Sequence, residues 1–236
     1  MLLALVAVAW APVHAAEAPA ELPFAPSASG YVTTWLVAGP FRFLRDNQID
    51  QDFLGGEAAV KPHEGDAAGQ SRWQAAAFAD PVLNFKDRCQ PLGKSAFYLS
   101  AILVAKKDAE LTLSLRHTGQ ARGWLDGKEA FRSDKDPFGF GPRTAEHTFA
   151  LKAGQRAHCL LKLGSDGKFL SFLVQLKADG RPATAADLAI ALPLKPGAKP
   201  APESFILPSL SLSLGRERFV QPGEKAAIAF ACDAGY

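Results

Sequence analysis

The segment from Arg132 to Arg143, RSDKDPFGFGPR, contains the residue types that carbohydrate recognition requires. It holds two aromatic rings with charged groups beside them, namely Phe138, Phe140, Asp134, Asp136 and Arg143. A sugar ring packs its C–H face on an aromatic ring, and flanking polar groups replace the water around its hydroxyls. Binding residues concentrate on loops carried by a rigid scaffold, so we interpret this loop as a candidate ligand site. The alternative is that Phe138 plugs one end of the fold.

Arg122 and Trp124 precede the turn at Asp126-Gly127 and are expected to adjoin this loop, which makes them further candidates. Trp124 also has a second interpretation. It occupies a strand position, as Trp35 does, and aromatic residues in strands usually fill the interior of a β-sandwich.

Catalytic chemistry finds little support in the sequence. A nucleophile needs a base and an orienting acid in one pocket, and no nucleophile elbow is present. Ser165 and Lys168 match an S-x-x-K spacing, but they lie in a turn between predicted strands. His147 and His158 are predicted neighbours on adjacent strands, and two imidazoles without a third ligand fall short of a zinc site. We therefore expect no enzymatic activity and no catalytic residue.

Three nearby carboxylates, Asp46, Asp50 and Asp52, offer the hard oxygen ligands that calcium prefers. Their spacing fits no EF-hand loop, and carboxylates at turns commonly cap backbone N–H groups. The preferred interpretation is that they are turn residues and that the protein needs no cofactor; a structural calcium ion is the alternative.

The segment from Ala96 to Phe131 predicts the fold class. Leu111, Leu113 and Leu115 alternate with polar residues, which is the period of a strand with one buried face. Asp126-Gly127 tolerates the positive φ angles of a two-residue type I′ hairpin turn. Three or four strands in about 36 residues are typical of an antiparallel sandwich or barrel.

Further strands are predicted before and after this segment. They are Tyr31–Val37, ended by Ala38-Gly39-Pro40, then His147–Leu151, His158–Leu163 and Lys168–Lys177. The predicted result is an all-β antiparallel sandwich over residues 31–180, with about eight strands and a long irregular connection at 45–69.

The ends of the chain differ in character from this domain. Residues 1–15 combine an apolar run with small residues at Val13 and Ala15, which predicts a signal peptide and an exported protein (periplasmic, cell-envelope or extracellular). Residues 16–30 read as a leader and 181–208 as a linker rich in Pro and Ala. Alternation resumes at 209–236, which predicts the start of a second, incomplete β unit.

Composition limits the partners and the redox chemistry. The chain has 26 basic and 24 acidic residues and a net charge of +2, which gives no basic stripe for nucleic acid. After the signal peptide no apolar run reaches the roughly 18 to 20 residues of a membrane span. Cys159 shares parity with Leu161 and Leu163, so a buried free thiol is preferred over a bridge to Cys89.

Several short motifs occur together in a recognisable order. They are Trp35-Leu36-Val37-Ala38-Gly39-Pro40-Phe41, DQDFLGGE (50–57), Trp73, Ala96-Phe97-Tyr98, Trp124-Leu125-Asp126-Gly127-Lys128, Leu151-Lys152-Ala153-Gly154 and Leu160-Leu161-Lys162-Leu163. Over residues 31–179 the chain resembles the galactose-binding-like jelly-roll modules of exported bacterial proteins, and is similar to the sugar-binding jelly roll of family 2 glycoside hydrolases. Asp126 departs from the asparagine usual in that family. The tail from Phe219 more faintly resembles the opening of an immunoglobulin-like domain.

The resemblance implies a non-catalytic module, and the loop chemistry points to a glycan or another cell-surface ligand. Two alternatives remain open at this stage. The domain is a structural or protein-interaction module that positions a downstream domain, or it is the N-terminal part of an enzyme whose catalytic domain lies outside this chain.

Overall fold

The computed structural model describes residues 21–42, 48–78, 81–84, 94–134, 142–165 and 171–195. The predicted signal peptide, Cys89, Cys232, the end of the predicted linker and the second β unit lie outside these residues.

The described residues form fifteen β-strands and two short 3₁₀ helices. The strands are β1 (Glu21–Phe24), β2 (Thr34–Arg42), β3 (Ala67–Ala68), β4 (Ser71–Arg72), β5 (Gln74–Ala77), β6 (Val82–Asn84), β7 (Ser95–Ala105), β8 (Ala109–His117), β9 (Gln120–Leu125), β10 (Lys128–Ser133), β11 (Arg143–Leu151), β12 (Arg156–Ser165), β13 (Ser171–Ala178), β14 (Arg181–Pro182) and β15 (Leu188–Pro193). The 3₁₀ helices are Gln48–Asp50 and Glu57–Ala59.

The larger sheet is built around β7. Its strand order is β1-β15-β7-β12-β9-β10, and β2 pairs with both β7 and β5. β12 pairs with one edge of β7 from Ser95 to Val104. On the other side, β2 pairs with the first half of β7 and β15 with the second half. All these pairs are antiparallel.

The smaller sheet has the order β11-β8-β13-β14, and β6 also pairs with β13. Its inner face carries Leu111, Leu113 and Leu115 on β8, which are buried as their alternation predicts. Side chains of both sheets join in one hydrophobic cluster, and burying each large apolar side chain contributes about 1.5–3 kcal/mol. The predicted all-β antiparallel sandwich is confirmed.

Two local predictions are also confirmed. Asp126 and Gly127 have φ angles of 48° and 77°, and the flanking residues Leu125 and Lys128 pair, as a type I′ turn requires. Cys159 is a buried free thiol, and burial raises its pKa to about 12.

The predicted end of the first strand at Ala38-Gly39-Pro40 is wrong. β2 continues to Arg42, with a register shift between Ala38 and Phe41. The Gly39-Pro40 peptide bond is cis, and Gly39 has a φ of 126°. Ser71 accepts a hydrogen bond from the Gly39 N–H and donates one to the Gly39 carbonyl, so backbone groups displaced by the irregularity stay satisfied.

The sandwich also extends beyond the predicted limits of 31 and 180. β15 inserts between β7 and β1 in the larger sheet, and β14 pairs with β13 in the smaller one. Residues 21–24 and the two strands within 181–195 therefore belong to the sandwich rather than to a leader and a linker. The strand β15 has a short alternation of apolar residues, and Leu188, Ile190 and Leu192 are buried. The prolines on either side of it favour the interpretation as a linker. The turn before β15 is fixed by Asp187, which accepts hydrogen bonds from Arg181 and from the Thr184 N–H.

Replacing Asp126 with alanine should destabilise the fold by about 1–2 kcal/mol. Alanine disfavours a positive φ, and the variant loses the hydrogen bond that Asp126 Oδ1 accepts from the His158 N–H at 2.8 Å. Urea unfolding measures the difference. Asp126→Asn is the matched control, because it keeps both the acceptor and the tolerance of positive φ; equal stability of the alanine variant and wild type would contradict the assigned role of the turn.

Candidate functional site

Strands β9 and β10 carry a network of charged side chains on the outer face of the larger sheet. Arg122 and Arg132 are direct cross-strand partners. Two like charges in that position repel, and Asp50 compensates for them. Its carboxylate accepts two hydrogen bonds from Arg132, with Nη1–Oδ1 at 2.6 Å and Nη2–Oδ2 at 3.0 Å, and lies 3.7 Å from Arg122 Nη1. The bidentate geometry fixes both groups in a plane.

Arg122 has two further contacts that hold it in place. Its Nε and Nη2 donate to Glu129 Oε2 at 2.9 and 2.5 Å. Its guanidinium also lies over the Trp124 ring, 5.0 Å from the centroid, a cation–π contact. Trp124 is only 4% exposed, so its ring is packed beneath Arg122 and offers no free face to a ligand.

The network continues to both ends of the predicted ligand loop. Arg132 Nη2 lies 3.5 Å from Asp134 Oδ1, and Arg143 Nη1 donates to the Asp134 carbonyl at 3.1 Å. The predicted site residues Arg122, Trp124 and Arg143 therefore lie in one connected group. Asp136, Phe138 and Phe140 fall outside the described residues, and their role stays a prediction.

We call the side chains of Asp50, Arg122, Glu129, Arg132, Asp134 and Arg143 the Arg122 patch. Its carboxylates are 38–59% exposed, and Arg122 and Arg132 are 23% and 42% exposed. The hydrogen bonds that Arg132 donates to the Asp50 carboxylate raise the pKa of Arg132, with smaller contributions from Asp134. The patch thus presents fixed, ionised donors and acceptors at a sheet edge with water access.

Beside the patch lies a buried ionic cluster for which the sequence analysis gave no prediction. Lys162, on β12, is fully buried, and its Nζ donates to Glu57 Oε1 at 2.6 Å and to the Gln51 carbonyl at 2.5 Å. The Tyr98 hydroxyl also donates to Glu57. Burial lowers the pKa of Lys162, partly offset by Glu57; burial and then Glu57 raise that of Tyr98. The sequence carries one sign of this cluster: Lys162 lies among leucines in Leu160-Leu161-Lys162-Leu163, a pattern typical of a central strand.

The loop above this cluster is ordered by Asp52. The Asp52 carboxylate accepts hydrogen bonds from the N–H groups of Leu54, Gly55 and Gly56 at 2.8, 2.9 and 2.5 Å. Although burial opposes the shift, these backbone donors hold the pKa of Asp52 below its usual value. Asp52 therefore caps a turn and Asp50 pairs with arginine, while Asp46 lies outside the described residues.

The histidines do not assemble as predicted. His147 is on β11 in the smaller sheet and His158 on β12 in the larger one, so the expectation that they are neighbours on adjacent strands is wrong. His158 Nε2 lies 2.8 Å from the hydroxyl of Ser100, but Ser100 is fully buried. In the part of the chain that the structure covers, no group of three His, Cys, Asp or Glu residues is arranged to hold a metal ion.

Among the same described residues, no helix has the length and apolar character needed to cross a membrane.

The buried histidines should make the fold acid-sensitive. Burial lowers the pKa of His158 to about 4, and burial also lowers the pKa of His117. Below pH 6.5, which is about the pKa of histidine in the unfolded chain, these two imidazoles bind protons in the unfolded chain but remain neutral in the folded protein. Stability is therefore full above pH 6.5 and falls toward pH 4.

Urea unfolding between pH 7.5 and 4.5 measures this loss, to which His158 should contribute about 2 kcal/mol. His158→Gln should flatten the profile relative to wild type, because the variant no longer carries this buried imidazole. A profile identical to wild type in His158→Gln would contradict the assignment.

No protein-family model matches the chain, and no curated protein matches it. Several solved structures are similar at low identity. The A domain of epithelial adhesin 9 from Candida glabrata, in complex with Galβ1-4GlcNAc, is 8% identical, with 72% of this chain and 94% of that chain covered and a TM-score of 0.44. The PA14 domain of the MpAFP antifreeze protein is 11% identical, with 77% and 98% covered and a TM-score of 0.42.

The β-glucosidase of Kluyveromyces marxianus is 15% identical, with 48% of this chain covered and a TM-score of 0.38. This chain spans 15% of the length of that enzyme. At such scores the assignment of the fold rests on the strand pairing and the core described above.

Proposed function

We propose that this domain is a non-catalytic recognition module of an exported protein and that it binds a neutral glycan at the Arg122 patch. The observation that supports the proposal is the partly exposed ion-pair network formed by Arg122 on β9, Arg132 on β10 and Asp50 from the loop above these strands. On the motif resemblance, we assign the sandwich to the galactose-binding-like jelly-roll type. The predicted signal peptide supports a periplasmic, cell-envelope or extracellular location.

The chemistry of the patch suits sugar hydroxyls. Each hydroxyl donates one hydrogen bond and accepts up to two, so it needs a carboxylate and a guanidinium close together. Asp50 and Arg132 provide this pair in one plane, and Glu129 with Arg122 provides a second. Because both pairs are partly exposed, a ligand can replace their water without breaking the protein's own ion pairs.

The charge balance of the patch favours a neutral ligand over an anionic one. The patch contains three guanidiniums (Arg122, Arg132, Arg143) and three carboxylates (Asp50, Glu129, Asp134). A phosphate or sulfate group would have to displace the Asp50 carboxylate from Arg132 or the Glu129 carboxylate from Arg122. Nucleic acid binding needs an unpaired basic surface, which neither the patch nor the net charge of +2 provides.

The stacking surface that a sugar also requires is assigned to Phe138 and Phe140. Trp124 lies under Arg122 and cannot provide it. In the sequence the two phenylalanines lie between Asp134, which follows β10 of the larger sheet, and Arg143, which begins β11 of the smaller sheet; both of these flanking residues belong to the patch. The aromatic and polar halves of the site are therefore neighbours along the chain.

A glycan array of neutral and sulfated glycans tests the proposal on the whole chain. Wild type should bind a restricted set of neutral glycans, and Arg132→Ala and Phe140→Ala should each weaken binding at least tenfold with little change in melting temperature. Arg116→Ala is the matched control, since Arg116 is an exposed arginine on the smaller sheet. Absence of binding by folded wild-type protein, or binding confined to sulfated glycans, would overturn the proposal.

A further inference from the structure

The ammonium group of Lys162 is sealed inside the protein beneath the loop formed by residues 48–60. Lys162 is fully buried, and Glu57, its ion-pair partner, is 7% exposed. Nζ also lies 5.2 Å from the Phe53 ring centroid and 5.4 Å from that of Tyr98. Both hydrogen-bond acceptors and the Phe53 ring come from the loop, so the lysine joins the loop to the sheet.

Stability alone does not explain this arrangement. Removing an ammonium and a carboxylate from water carries a large desolvation penalty for each ion, and apolar replacements of buried ion pairs are often as stable or more stable. What an ammonium provides and an apolar side chain does not is a directional hold on two loop oxygens. One of these is the carbonyl of Gln51, 2.5 Å from Nζ.

The Gln51 carbonyl is one residue from the patch. Asp50 precedes it, and the Asp50 carboxylate is the group that bridges Arg132 and Arg122. On the sheet, Lys162 pairs in register with Arg122 on β9 and with Tyr98 on β7. The lysine thus sets the distance between the loop that carries Asp50 and the strand that carries Arg122.

A second contact limits the loop at its far end. A Cβ atom at Gly127, in the β9–β10 turn, would lie 2.4 Å from the Ala58 carbonyl oxygen. The loop therefore packs directly on the turn that joins the two patch strands. One part of the loop packs against the turn, and Lys162 holds Gln51 and Glu57 of the same loop. Asp50 therefore has a defined position above β9 and β10.

We propose that Lys162 is a positioning residue for glycan binding: it touches no ligand, but it places Asp50 between Arg122 and Arg132. This inference rests on the proposed function for its effect on binding, while the placement of Asp50 is measurable without any ligand. Removing the hold on Gln51 frees Asp50 to leave the two guanidiniums, and affinity at the patch falls although every patch residue is still present.

The test combines Lys162→Met with Glu57→Gln in one variant of the whole chain. Both buried charges disappear together, and the glutamine oxygen still accepts the hydrogen bond from the Tyr98 hydroxyl. The matched control is Lys177→Met with Glu146→Gln, which removes an exposed pair, 3.6 Å apart, from the smaller sheet. Thermal melting checks folding, and nitrogen-edited NMR of the Arg132 guanidinium reports on its bidentate contact with Asp50.

We expect the buried-pair variant to fold, the Arg132 Nη signals to change, and binding to the neutral glycan array to fall at least tenfold, with the control unchanged in all three. Unchanged Arg132 signals, or unchanged array binding when wild type binds, would overturn the inference. If wild type binds no glycan but the Arg132 signals change, the proposed function fails and the placement of Asp50 by Lys162 stands.

A measurement on wild type alone keeps the inference testable if the variant fails to fold. A hydrogen-bonded Lys162 ammonium should show scalar coupling from Nζ to the Gln51 carbonyl carbon. Absence of that coupling in a spectrum that resolves the Lys162 ammonium would overturn the inference.

Discussion

The buried ammonium of Lys162 is the constraint on which the outer face of the larger sheet depends. A buried ammonium must be matched by an opposite charge and by hydrogen-bond acceptors. The residues that pair with Lys162 on the neighbouring strands are Tyr98 on β7 and Arg122 on β9, and neither is acidic. Glu57 and the Gln51 carbonyl come from the loop instead. The loop must therefore cover the sheet, and Asp50 is carried to the patch.

The two sides of the larger sheet consequently have different roles. The inner side packs against the smaller sheet in one apolar cluster, and this gives the strands fixed positions. The outer side carries Lys162 and the loop that covers it. Arg122 on β9 pairs with Lys162 on one side and with Arg132 on the edge strand β10 on the other. A rigid core, an ordered loop and a charge-balanced edge are the ingredients of a recognition surface.

The sequence predicted what depends on neighbouring residues. Alternation along β8 and the Asp126-Gly127 turn gave the sandwich and its hairpin, because period and turn chemistry are local. β15 was missed because prolines dominate its surroundings, while its pairing with β7 lies some 85 positions away. The links from Lys162 to Glu57 and from Arg132 to Asp50 join residues 105 and 82 positions apart, and no local pattern encodes them.

Mapping backbone amide shifts of the wild-type protein during titration with a neutral glycan that it binds tests the central claim most directly. We predict that the shifts concentrate at Asp50, at Arg122 and Arg132 on β9 and β10, and at Arg143, and that the smaller sheet around Lys177 is unaffected. Shifts centred on β8 and β13 of the smaller sheet, or on the β1–β15 side of the larger one, would place the binding surface elsewhere and contradict the account.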